Sequence, residues 1–467
     1  MTGRRSAGDW SERLDRIVRG LTIPSLLARD SPRIATLAER MEFYKVPGIS
    51  FAIVDDYRLE SAYAAGVIEV GGTDAVTTRT LFQVGSLGKP VVALATLRLV
   101  EAGAIDIDAD VNTMLTSWKI PRNGGWQPRV TLRHVLTHTS GLTVPLYPGY
   151  PRGEALPTVL QVLDGETPAR TPAVRVNSIP GTQYRYSSGA YVVLQQLLMD
   201  VAGQSFAELM RELVLEPLGM QDSTFEQPLP ESRWRGAATG HRNGGQPVQG
   251  GWFVYPEAAQ GGMWTTPSDL ARFVLELQKA RAGHPGRLLS AKTASEMLSP
   301  SIDNHVGLGL FPEGDASRPR FSHLGGNEGF SSRLTAFRDM GVGAVVITNW
   351  HYGFLVDEVF AAIAGEYEWP GYLPQQPQTV KLDAGILERY VGEYRLRPDM
   401  SLRISRAGDV LQLEASGQLP IEFYAESETQ FRAAAVNAVI VFRAVTGRPI
   451  ELVVEQADRR LSASRVE

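Results

Sequence analysis

Ser86-Leu87-Gly88-Lys89 sets a hydroxyl and an amine three residues apart. That spacing is just under one helical turn, so both side chains can project to one side at a helix start. A lysine in a dry pocket gives up its proton readily and can act as a base toward a neighbouring hydroxyl. An arginine cannot, because its guanidinium stays protonated. The chain has 46 basic residues, 40 Arg and six Lys, and Lys89 is the one lysine with a serine three places before it. The sequence contains no cysteine, which excludes disulfides and thiolate metal sites and leaves covalent catalysis to a hydroxyl. Alone the pair is a weak signal, since a helix-capping Ser followed by a surface Lys reads the same way.

Two later stretches add to it. Tyr184-Arg185-Tyr186-Ser187-Ser188-Gly189 offers a tyrosine that, near two cations, could relay a proton. His323-Leu324-Gly325-Gly326-Asn327-Glu328-Gly329 reads as a glycine-rich strand edge where an acyl group can lie against backbone N–H groups. Taken singly, these are an ordinary half-buried tyrosine and a tight turn with a structural histidine.

The surrounding pattern says which elements must hold these residues. Ser31-Pro32 reads as an N-cap with Pro at the first helical position, and Ile34, Leu37, Ala38 and Met41 continue a helical stripe. After the break at Pro47-Gly48, residues 49–54 read as a buried strand, and Asp55-Asp56 turns the chain into a second strand near 59–65. Residues 89–101 predict a buried helix, with Pro90 tolerable only in its first turn. Ser205 with Glu208, and Thr266-Pro267 with Asp269, are capping-box patterns. Residues 332–337 and 342–348 predict a hairpin, followed by a helix over 354–364. Residues 143–180 hold seven prolines and little periodicity, the mark of a lid or binding wall. Tyr147 and Tyr150 in that wall, with Trp252 and Tyr255, are candidates for lining an acyl pocket. Residues 369–380 are a linker candidate. Beyond them, 390–396, 401–404, 410–415, 421–424, 438–443 and 450–454 read as short strands of a small antiparallel barrel or sandwich.

Composition narrows the function classes. A net charge of −5, 43% hydrophobic and 21% charged residues describe a globular chain, with no basic footprint for nucleic acid or anionic lipid. At roughly 100–200 residues per domain, 467 residues imply two to four domains. The start MTGRRSAGDWSERL lacks the apolar core of a secretory signal, and no run of 18 apolar residues occurs, so a soluble, cytoplasmic protein is expected. A G-x-S-x-G elbow is missing, with Val84 where its first Gly would stand. A phosphate loop fails at Gln83 and Pro90. His134 and His138 have a metal-ligand spacing but no following Glu and no evident third ligand, so neither metal nor cofactor is expected.

Ser-x-x-Lys, Tyr-Ser-Ser and His-x-Gly, in this order and at these distances, resemble the serine β-lactamase and penicillin-binding-protein superfamily. The likeness is to its class C-like branch, which also holds carboxylesterases, D-aminopeptidases, DD-peptidases and acyltransferases. FQVGSLGK, VTLRHVLTHTSGL, VLEPLGMQDSTF and GGMWTTPSDLARF look like family segments, and the likeness spans roughly 30–365. Residues 383–467 resemble the lipocalin-like barrel appended to some members.

The resemblance implies an α/β (α+β) fold: a central antiparallel sheet flanked by helices, with a helical region inserted and strand 49–54 beside the strands of 332–348. It implies a hydrolase domain over 1–370 with an N-terminal helical arm, a linker over 371–382 and a barrel over 383–467. By the same resemblance Ser86 would be the acylated nucleophile, Lys89 its base, and Tyr186 a partner in the proton relay. His323 would stand where relatives have the lysine of a Lys-Thr-Gly motif, with backbone N–H groups of Ser86 and Gly326 as the oxyanion hole. Gly325 and Ser188 would line the substrate site. Two departures tilt the expectation toward esters or uncharged acyl groups: Ser188 replaces the Asn of Tyr-x-Asn, and His323 replaces Lys. The implied partner is a small-molecule or short-peptide acyl substrate. The main expectation is a serine hydrolase of esters or amide-like substrates. The alternatives are an acyltransferase or peptide-cyclising thioesterase, a D-amino-acid peptidase, or an inactive ligand-binding relative. Oligomeric state is left open.

Overall fold

The computed structural model describes residues 7–23, 33–301, 306–373, 379–397, 400–415, 418, 420–433, 438–443, 450–456 and 459–466. They fall into two compact units, Met1–Arg16 with Ala38–Ile363, and Ile17–Leu37 with Ala364–Glu467.

The first unit is built on a six-stranded antiparallel sheet. Its strands are β1 (Gly48–Asp55), β2 (Arg58–Gly66), β3 (Phe311–Glu313), β4 (Arg320–Asn327), β5 (Phe330–Phe337) and β6 (Gly343–Thr348), in the order β2-β1-β6-β5-β4-β3. The first and last parts of the unit therefore meet in mid-sheet, where Ile49 pairs with Thr348 and Val54 with Gly343. β1 is buried along almost its whole length because both faces are covered, so its sequence runs apolar without alternation.

Three helices matter for the site. α1 (Lys89–Glu101) carries Pro90 in its first turn, where no intrahelical N–H is lost. α2 (Ser188–Ala202) is capped by Ser187, whose Oγ accepts from Ala190 N–H at 3.0 Å, and ends on Gly203 at φ 66°. α3 (Pro267–Arg281) starts with Thr266 Oγ1 accepting from Asp269 N–H at 3.2 Å and packs on β1 and β6. At Ser205 the full reciprocal capping box forms with Glu208. At Thr266 the reciprocal half is absent, because Asp269 turns instead to Asp222 N–H and the Ser223 hydroxyl.

The second unit contains a closed antiparallel barrel of eight strands in chain order. They are β7 (Gly392–Arg397), β8 (Met400–Ala407), β9 (Val410–Ala415), β10 (Ile421–Ala425), β11 (Gln430–Ala433), β12 (Ala438–Arg443), β13 (Glu451–Gln456) and β14 (Arg459–Arg465), with Tyr394 pairing Arg465 to close the ring. Leu402, Ile404, Leu411, Phe423, Phe431, Ile440, Phe442 and Leu452 fill it at alternate positions.

Two expectations need correction. Only six barrel strands were legible. β11 is four residues long, and β14, RRLSASR, carries mostly polar residues, with Ala463 buried. The helix expected from Ile34 begins at Leu37, because Arg33–Ala35 is instead extended and pairs with Leu21–Ile23. Ser31-Pro32 and residues 374–378 of the expected linker lie outside the described residues.

Candidate active site

Ser86 sits in a short 3-10 turn, Gly85–Gly88, that runs straight into α1. Gly85 is required twice over. Its φ of +51° disfavours a side chain, and a Cβ there would stand 2.4–2.7 Å from the Gly326 main chain. Gly325 is held as tightly, since its Cβ would fall 1.9 Å from Val84 O and 2.8 Å from Leu87 N. The open edge of β4 is thus pressed directly against the nucleophile turn. Ser332 Oγ donates to Val84 O at 2.9 Å, and Asn327 Nδ2 donates to Gln83 Oε1 at 3.1 Å and Gly261 O at 2.8 Å, which ties the same segments together.

Lys89 is 0% exposed although it carries an amine. Its Nζ lies 2.9 Å from Ser86 Oγ and donates to Gln260 O at 2.7 Å. Burial drives its pKa well below the usual lysine value, and no carboxylate acts to restore it. Ser86 itself is half-buried, so a substrate can reach the hydroxyl while the amine stays dry. Gln260 is fixed from α2: Gln195 accepts from Ala259 N–H at 3.0 Å and donates to Pro256 O at 3.0 Å.

Tyr186 directly precedes the cap of α2. Burial raises its pKa, against hydrogen bonding to Ser86 and Ser188. The tyrosine therefore stays a phenol at neutral pH. Burial drives both expected cations beside it toward their uncharged forms. His323, buried on β4, has its pKa pushed down to about 3 by burial and then by the nearby Lys89. Its Nδ1 lies 2.6 Å from Leu324 O, and since a carbonyl only accepts, Nδ1 carries the proton and Nε2 a lone pair. His323 is thus no cationic anchor for a carboxylate.

A third base was not foreseen at the site. His138 is buried against Tyr186, ring centroids 4.2 Å apart, and burial, Lys89 and His323 together hold its pKa well down. Its Nδ1 accepts from Ser187 N–H at 3.2 Å and its carbonyl accepts from Arg185 N–H at 2.8 Å, so it clamps the segment bearing Tyr186. His134, its supposed metal partner, caps its own helix through Thr131. Among the described residues no group of three or more His, Asp or Glu is placed to hold a metal ion. Gln260 was missed because it acts through its carbonyl, which leaves no trace in side-chain type.

The structure gathers Ser86, Lys89, Tyr186, Ser188, His323, Gly325 and Gly326. It does not bring Trp252 to them. Trp252 packs edge-to-face between Trp234 and Trp264 under the Arg152 guanidinium, and lines a separate cavity of about 650 Å³ with Glu69 and Asp74. Tyr147 and Tyr150 are buried beside Glu257, one turn before Gln260.

An antiparallel sheet of this order, with a helix-start Ser-x-x-Lys pressed against the unpaired end of β4, defines the β-lactamase/transpeptidase-like class of fold. The beta-lactamase family model matches residues 34–366, and the chain belongs to that family. It is 25% identical over 414 residues to penicillin-binding protein 4* of Bacillus subtilis, covering 81% of this chain and 86% of that one. It is 30% identical over 316 residues to esterase EstB of Burkholderia gladioli, covering 62% and 72%. The octameric penicillin-binding protein homologue from Pyrococcus abyssi shares the fold with a TM-score of 0.61 at 21% identity, over 91% of this chain and 98% of that one. At the level of the family these are serine hydrolases. Among the described residues no helix is long and apolar enough to cross a membrane.

Proposed function

We propose that this chain forms an acyl-enzyme on Ser86, with Lys89 as general base, and hydrolyses carboxylic esters or amide-like substrates. The observation that carries the reading is a wholly buried lysine amine 2.9 Å from Ser86 Oγ. The neutral amine takes the Ser86 proton as Oγ attacks the substrate carbonyl. The ammonium so formed keeps Gln260 O as a hydrogen-bond acceptor. The developing oxyanion lies between the N–H groups of Ser86 and Gly326; losing one donor of a comparable hole costs about 2.7–4 kcal/mol. Tyr186, a phenol, gives its proton to the leaving group and takes back the one held by the Lys89 ammonium, which returns the amine to its neutral form. Water repeats the sequence on the acyl-enzyme and frees Ser86. A neutral His323 offers its Nε2 lone pair rather than a charge, which favours esters and uncharged acyl groups.

The test is to incubate wild type and Ser86→Ala with short and long p-nitrophenyl esters, a chromogenic β-lactam and D-amino-acid anilides, and to weigh the intact protein. Turnover and an acyl adduct only in wild type support the reading. Absence of both in wild type leaves a non-catalytic ligand-binding protein. Amide product on adding an amine acceptor would move the chain to the acyltransferase or peptide-cyclising thioesterase class. We also assign catalysis to 1–370, a linker to 371–382 and the barrel to 383–467, a division that limited proteolysis tests by cleavage within the linker.

A further inference from the structure

In the acyl-enzyme cycle Lys89 passes through an ammonium, and its pocket offers that charge little. Its neighbours are Ser86 in the turn before α1, the Gln260 carbonyl, His323 on β4, His138, and Tyr186 with Tyr191 at the start of α2. Burial first, and Lys89 next, lower the pKa of both histidines. No carboxylate is among these neighbours. An ammonium has three N–H donors. Gln260 O takes one at 2.7 Å, and Ser86 Oγ lies at 2.9 Å but becomes a weak ester acceptor once acylated. What remains around Nζ is aromatic. It lies over the Tyr186 ring, 5.2 Å from the centroid, and over the Tyr191 ring, 5.5 Å from the centroid. Both fall inside the roughly 6 Å at which a ring face attracts a cation, an attraction that grows when water is excluded.

Tyr186 already has a part in the reaction, and Tyr191 has none. Tyr191 is the fourth residue of α2 and is 0% exposed. Its hydroxyl is buried without a partner, and Gly309, where an added Cβ would stand 3.2 Å from that oxygen, closes in on the hydroxyl end. A buried hydroxyl that makes no bond is a cost, so what the position supplies is the ring. The His138 ring lies 4.2 Å from that of Tyr186 and 5.5 Å from that of Tyr191, and packs against both. A carboxylate in this place would hold Lys89 charged at rest and remove the base. A ring face attracts the cation more weakly, so it meets the transient ammonium without fixing the resting amine in its charged form.

We propose that Tyr191 is a positioning residue for catalysis, its ring forming with that of Tyr186 an aromatic seat for the ammonium that Lys89 becomes during acylation and deacylation. The catalytic consequence rests on the acyl-enzyme reading at Ser86, and the effect on Lys89 does not. Two measurements keep them apart. In the full chain, NMR titration of lysines labelled at Cε reads Lys89 directly, with six lysines to resolve and Lys89→Met to assign the signal. The pH profile of kcat/KM for a p-nitrophenyl ester reads the same group through its acid limb. In Tyr191→Leu the lost attraction should move both midpoints down by about one pH unit and lower the plateau of kcat/KM by about 3- to 30-fold. Tyr191→Phe keeps the ring and should leave both midpoints in place. A merely structural role gives the opposite sign, because a loosened pocket admits water and moves the midpoints up. If Tyr191→Leu does not fold, pentafluorophenylalanine at position 191 keeps the ring's shape and reverses the polarity of its face, and the midpoints should again fall. Midpoints that stay or rise in Tyr191→Leu or with the fluorinated ring, or that fall as far in Tyr191→Phe, overturn the proposal. If no ester is cleaved but the Lys89 midpoint falls in Tyr191→Leu and holds in Tyr191→Phe, the hydrolase reading falls and the aromatic seat stands.

Discussion

The two units of the chain bury different things. Among the described residues, every buried polar or charged side chain, from Arg40 to Asn349, belongs to the first unit. The barrel interior is aliphatic and aromatic, and its two buried tyrosines send their hydroxyls to backbone carbonyls, Tyr390 to Glu428 O and Tyr394 to Tyr390 O. The first unit instead holds Lys89, His138, His323 and Glu257 in the dry, each depressed or raised away from its charged form. Buried bases and acids without counter-charges weaken a fold, and they persist where function uses the shifted protonation state. The contrast supports the proposal that the chemistry lies in the first unit.

Substitutions should separate the two units, beginning with the largest effect. Ser86→Ala should lower ester hydrolysis by about 10⁴–10⁶-fold with its melting temperature little changed, as followed by nitrophenol release and calorimetry. Tyr186→Phe should cost about 10²–10⁴-fold, mostly in kcat, because a phenol that relays a proton is lost while the ring against His138 remains. In the barrel the effect is on stability. Phe442→Ala removes a ring stacked on Tyr390 at 4.0 Å and should destabilise by about 3–5 kcal/mol in denaturant titration, with kcat per folded molecule unchanged.

A subtler effect comes from Lys89. Its folded pKa is depressed, so between that value and the unfolded value of about 10.5 the unfolded chain binds one more proton than the folded one. Wild-type stability should therefore fall, relative to Lys89→Met, by about 1.4 kcal/mol for each pH unit of descent through that window. Parallel stability curves for the two proteins would mean that Lys89 is charged in the fold. The smallest effect is Ser205→Ala, which removes one capping box and should cost about 1 kcal/mol without touching activity.

What the sequence revealed follows from how local each feature is. Ser86 and Lys89 lie within one turn, so their spacing alone carries the geometry. Lys89–Glu101 was legible to the residue because Pro90 marks its first turn. The pairing of β1 with β6 was legible through family resemblance, not through any local pattern. Gln260 escaped because its carbonyl holds the lysine, and His138 because a histidine stacked on a tyrosine 48 positions on looks like any loop histidine. Trp252 was misplaced for the reverse reason: aromatic type suggests a pocket wall, but only packing decides which wall. Glu257 gave no signal at all, since the burial that makes it unusual is a tertiary property.

The central claim is that Lys89, as a neutral amine, makes Ser86 the acylated residue. Intact-mass measurement of wild type, Ser86→Ala and Lys89→Arg, quenched during turnover of a slow p-nitrophenyl ester and followed by peptide mapping, tests it directly. Wild type should carry one acyl group on the peptide containing Ser86 and neither variant any, because an arginine cannot take the proton. An adduct of the same mass and yield in Lys89→Arg, or one mapped to another peptide in wild type, would contradict it.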